Sequence, residues 1–170
     1  MFQQMAFDIA ETKMNAPLTG LPLGTTVLTK DGEMPVEMLS PGDRVITRDS
    51  GFTTLKDIRI VQGVENAVCF QAGSLGHNKP EADMVLPAGQ SVLVRDWRAP
   101  AMFKQSQSLT QAGDLVDGEY VSDMGIQEMT LVQLTFERTH VIYAGGMEVA
   151  STPLPDADAK GLVDEDRQAA

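Results

Sequence analysis

The sequence predicts an all-β domain of short antiparallel strands, and three observations carry that prediction. Short apolar runs recur from about residue 20 to about residue 150. Gly, Pro, Asn or Asp punctuates the gaps between them, the pattern of strands joined by tight turns. Several runs alternate apolar and polar residues, as Val132, Leu134 and Phe136 do, so one face of the strand can be buried while the other is wet.

The elements follow in chain order. Phe2, Met5, Ala6 and Ile9 fall at helical spacing and predict a short amphipathic helix over 2–14 that ends before Asn15-Ala16-Pro17. A strand over 25–29 leads through a turn at Lys30-Asp31-Gly32-Glu33 into a strand at 35–37, and Pro41-Gly42-Asp43 turns into a third at 43–47. Strands are expected next at 54–62, 66–71, 83–86 and 91–95. The segment 101–115 breaks the pattern and reads as one or two helical turns. Strands at 119–122, 128–136, 140–143 and 146–149 complete the body, with Glu137-Arg138-Thr139 as the turn before His140. Residues 152–170 are rich in Pro, Asp and Ala and read as a flexible, disordered acidic tail. The expected organisation is a helix or linker at 1–19, a β domain at 20–151 and a tail at 152–170.

Composition narrows the function. At 170 residues the chain suits one domain plus tails and can bury a substantial core. A net charge of −11 repels phosphate backbones and anionic membranes, so nucleic-acid binding is excluded as an expectation. The N-terminus has no basic region before an apolar core and is not a Sec signal peptide. No stretch approaches the roughly 18 apolar residues of a membrane span. A cytoplasmic protein is expected, with export lacking an N-terminal signal left open. The lone Cys69 lies in an apolar run and reads as a small core hydrophobe. One Cys and two His are too few for a structural zinc site, and no cofactor is expected. Asp156, Asp158, Asp164, Glu165 and Asp166 invite a calcium reading, but their spacing is not that of an EF-hand loop. His77 reads as an exposed loop residue, Trp97 as a core aromatic in preference to a binding one, and the Met residues as core gap-fillers.

The run from Gly20 to Thr47, with its strands, its Asp31-Gly32 turn and its Pro41-Gly42-Asp43 turn, resembles the opening of a hedgehog/intein (Hint) self-processing module. The likeness extends to about Ser151 and is greatest to bacterial Hint-domain proteins in which such a core stands nearly alone. It implies a horseshoe of short strands whose two ends, 25–29 and 140–149, converge on one cleft. It also implies a set of catalytic positions. The nucleophilic Cys or Ser stands five residues before the Thr matched by Thr25, which is the place of Gly20. The Thr-x-x-His element that protonates the scissile amide matches Pro87 and Gln90. The late His is His140, and the terminal His-Asn is replaced by Ala150-Ser151.

Glycine carries no nucleophile, proline no donor, and glutamine exchanges no proton near neutral pH. The residues of the residual cleft, Gly20, Thr25, Pro87, Gln90, His140 and Ala150, are therefore expected to hold shape without chemistry, with His140 bonded to backbone or to Gln90. The expected function is a catalytically silent scaffold or protein-interaction module with an unidentified protein partner. The alternative is a self-cleaving domain using Thr25 or Cys69 with His140. An unrelated all-β domain for a small ligand is the third reading.

Overall fold

The computed structural model describes residues 17–153. The helix expected over 2–14 and the acidic tail from 154 onward, with its five carboxylates, lie outside them. Among the described residues twelve strands form two antiparallel sheets: β1 (Leu21–Pro22), β2 (Thr26–Thr29), β3 (Gly32–Pro35), β4 (Arg44–Thr47), β5 (Gly51–Thr54), β6 (Asp57–Phe70), β7 (Met84–Pro87), β8 (Ser91–Val94), β9 (Ser108–Gln111), β10 (Val121–Thr135), β11 (Val141–Ala144) and β12 (Met147–Ala150). The first sheet runs β1-β10-β6-β7. The second runs β3-β2-β4-β11-β12-β8-β9, with β5 on β4. Among the described residues the one α-helix is α1 (Arg98–Phe103), and no helix is long and apolar enough to cross a membrane.

The alternation seen in the sequence becomes the core. Val27, Val45, Ile142 and Val149 from the second sheet meet Val68, Phe70, Leu86 and Leu134 from the first in one buried cluster. Each side chain of this size contributes about 1.5–3 kcal/mol by leaving water. A smaller cluster of Ala67, Met129 and Leu131 collects Leu18, Val61 and Val85.

The all-β prediction holds, and segments 25–29 and 140–149 meet as expected. Val27 pairs with Ala144, Thr47 with Ile142, and Gly145 N donates to Thr26 O at 2.7 Å.

Several boundaries differ. The strand expected at 35–37 is a 3-10 turn at Val36–Met38, because the paired strand β3 already ends at Pro35. The strands expected at 54–62 and 66–71 are one 14-residue strand, and those at 119–122 and 128–136 are one of 15 residues. The two pair with each other from Asp57↔Thr135 to Val121↔Phe70, so each supplies the partners that carry the other across its glycine. The irregularity is confined to Asp123–Ile126, where Gly125 takes φ +79° and its N–H donates to Asp123 Oδ1 at 2.8 Å. Such a bulge bends a strand without ending it. The 101–115 segment is also more varied than expected. It contains the end of α1, then β9 paired to β8, then a 3-10 turn at Ala112–Leu115. Lys104, at φ +57°, closes α1 with its N–H on Ala99 O and Pro100 O.

Candidate functional site

Gly20 and Ala150, at the two ends of the β domain, converge on Gln90, and that residue determines what the junction can do. Gln90 ends the turn after β7, its N–H on Pro87 O at 3.0 Å, and the residue is only 3% exposed. Oε1 accepts from Gly20 N at 2.9 Å. Nε2 donates to Ala150 O at 2.8 Å and to Ser91 O at 3.0 Å. An amide offers both an acceptor and two donors, and all three functions are used. The side chain therefore clasps the start of the domain to its last strand and moves no proton.

Gly20 fits this junction only as glycine. Its φ is +133°, and a Cβ there would lie 2.9 Å from Leu131 Cβ and 3.0 Å from Val132 O. No side chain, nucleophilic or otherwise, can be built at that point without moving β10. Gly89 is similarly closed in, since a Cβ on it would meet Pro17 Cβ at 2.7 Å. The segment entering the domain lies directly on the turn that carries Gln90.

His140 stands beside the junction, on the residue before β11. Ser151 N donates to His140 O at 2.7 Å, and His140 N donates to Ser151 Oγ at 3.0 Å. Its buried imidazole lies edge-on to Phe136, and its Nδ1 is 2.8 Å from Asp49 Oδ2. Val141 N donates to Asp49 Oδ1 at 3.2 Å. Burial pushes the Asp49 carboxyl up, but its bonds from His140, Val141 and its own backbone, with the His140 charge, bring it below the usual range.

The backbone or Gln90 partner expected for the His140 side chain is thus replaced by the Asp49 carboxylate. The reason is topological: β4 pairs with β11 through Thr47↔Ile142, which swings the Arg48–Gly51 turn over the imidazole. The expected single cleft is also divided. Gly20, Pro87, Gln90 and His140 are buried in a packed junction beside the half-buried Ala150. Thr25 instead lines a separate cleft of about 460 Å³ with Glu81, Asp83, Met84 and Gly145.

Cys69 belongs to the other sheet, paired with Val85 and Ser122. Burial first, then the Asp83 carboxylate, raises its thiol above the usual value, the opposite of what a nucleophilic Cys needs. Among the described residues no group of three or more His, Cys, Asp or Glu side chains could hold a metal ion.

Trp97 corrects a second expectation. It is 68% exposed rather than core. The inward position is taken by Arg98, which is buried, ion-paired with Asp96 and Asp117, and stacked 4.9 Å from the indole centroid. The Met residues divide, with Met129 and Met147 buried and Met102 and Met124 exposed; His77 is exposed as expected. Sequence reasoning missed Asp49, and it placed Ser151 without its bond from His140 N. The only available signal was a turn at Asp49-Ser50-Gly51, whose contact with His140, ninety-one residues on, depends on the pairing of Thr47 with Ile142.

Residues 20–154 match the family model described as the Hint domain. No curated protein matches the chain. Among solved structures, the intein-like domain from Clostridium thermocellum is similar with a TM-score of 0.53 at 12% identity, covering 79% of this chain and 99% of that one. A DnaB intein from Synechocystis sp. PCC 6803 gives 0.52 at 8% identity over 79% and 99%. The gp41-1 intein gives 0.50 at 12% identity over 78% and 98%. At these identities the likeness is one of fold.

Proposed function

We propose, since this chain belongs to the Hint domain family, that it keeps the fold of an autoprocessing domain and has exchanged its chemistry for a structural clasp, serving as a scaffold or protein-interaction module. The observation that carries this reading is the Gly20–Gln90–Ala150 bridge. Acyl transfer needs a nucleophile at the scissile junction and a group to protonate the leaving amide. Gly20 has no side chain and no room for one, while Gln90 spends its amide on fixed hydrogen bonds. At the other end, Ala150-Ser151 has no Asn side chain to cyclise.

One observation favours the second reading, self-cleavage. Asp49 and His140 form a carboxylate–imidazole pair of the kind that orients a general base. Neither nucleophile expected for that reading stands beside it, since Cys69 lies in the other sheet and Thr25 opens on a different cleft, and the nearby Ser151 Oγ accepts from His140 N.

His140→Ala distinguishes the two readings. If the pair is structural, the variant loses about 1–3 kcal/mol, as a buried polar partner does, and its intact mass behaves like that of the wild type. An unshifted melting point together with loss of a cleavage product would favour self-cleavage.

A further inference from the structure

Away from the junction, Glu148 on β12 gathers an excess of positive charge. It is 4% exposed and takes a two-pronged bond from Arg95, with Nε at 2.8 Å and Nη2 at 2.6 Å. Arg48 and Lys79 stand 3.7 Å from the same carboxylate. Three cations thus share one anion, a surplus of two positive charges in a chain whose net charge is −11. Burial would raise the Glu148 pKa, but Arg95, Lys79 and Arg48 more than reverse it and hold the carboxyl below its usual range.

Two of these three cations, Lys79 and Arg95, line a cleft of about 290 Å³ together with Glu148, while Arg48, on the same carboxylate, stands outside that lining. Lys79, Arg95 and His77 supply donors on its walls, while Leu75, Leu93 and Met147 supply an apolar surface. Asp96 is the other acid lining it, and Arg98 already pairs with that carboxylate. Arg95 spends two of its five N–H groups on Glu148, so three are not used by that pair. The volume is at the small end for ligand sites, and apolar walls with a few converging polar groups are their usual make-up.

We propose that this cleft binds a small organic oxyanion, its carboxylate or phosphate head held by Lys79 and Arg95 and its short apolar body against Leu75, Leu93 and Met147. The site is independent of whether the Gly20 junction is silent.

Titration of the full chain, followed by calorimetry and by amide chemical shifts, tests this with four probes: butyrate, butyl phosphate, inorganic phosphate and butylammonium. The expected result is saturable binding of butyrate or butyl phosphate, with shifts at Leu75–Lys79 and Arg95 that weaken as salt is added. Whichever of the two binds more tightly identifies the head group. Inorganic phosphate should bind more weakly than butyl phosphate, and butylammonium should not bind. Lys79→Gln leaves Glu148 paired with Arg95 and Arg48 and should weaken binding about tenfold, equivalent to ~1.4 kcal/mol. Lys56→Gln, on the β5–β6 connection, is the charge-matched control and should bind as the wild type does. The proposal is overturned if neither organic anion saturates, if butylammonium binds equally well, or if salt and Lys79→Gln leave the affinity unchanged.

Discussion

Replacing Gln90 by Leu keeps the approximate shape of the side chain and removes every polar function it supplies. Three hydrogen bonds disappear, to Gly20 N, Ser91 O and Ala150 O. A typical buried hydrogen bond contributes about 0.5–1.5 kcal/mol net, and a buried donor left without a partner costs about 1–3 kcal/mol. Gly20 N is buried and loses its acceptor, whereas Ala150 stays paired with Val141 in the strand ladder. Allowing for the apolar burial that Leu adds, the net loss should be about 2–4 kcal/mol. For a domain of this size that corresponds to a melting point lowered by roughly 6–16 °C. Denaturant unfolding of wild type and variant, with equal slopes, gives the free-energy difference directly. A loss under about 1 kcal/mol would refute the idea that Gln90 clasps the two ends.

Gly20→Ala places a methyl against Leu131 Cβ and Val132 O at a φ of +133°, and should cost about 2–5 kcal/mol by denaturant melts; a neutral effect would mean the junction is looser than described. Asp49 and Glu148 both have folded-state pKa values below the usual carboxylate range. Each therefore contributes stability that is complete above the unfolded value of about 4 and is lost as pH falls through the folded value. Melting points from neutral pH down to about 3 should fall in wild type and fall less steeply in Glu148→Gln, which starts lower because its three cations lose their anion; parallel curves would contradict this.

Much of the fold was legible because its signals are local. Turn residues such as Asp31-Gly32 and Pro41-Gly42-Asp43 and the alternation at Val132, Leu134 and Phe136 declare their structure within a few residues. What failed was non-local. Gly63 and Gly125 look like breaks in one dimension and are bridged only because β6 and β10 pair along their length. The exposure of Trp97 follows from Arg98 turning inward to Asp96 and Asp117, and no composition rule ranks Arg above Trp for burial.

The junction was half legible. The residues at Gly20, Gln90 and Ala150 already stood apart from the family's catalytic pattern in the sequence, whereas the bonds they make, and Asp49 against His140, exist only after the sheets close. Glu148 with its three cations was invisible for the same reason, since Arg48, Lys79 and Arg95 come from three different segments.

The intact mass of the purified chain followed through prolonged incubation, with and without added thiol, tests the central claim most directly. A silent domain gives one unchanged species in both conditions, because hydroxide attack on an ordinary amide is too slow without a nucleophile. A fragment ending at Thr19 or at Ala150, growing with time or with thiol, would contradict the account.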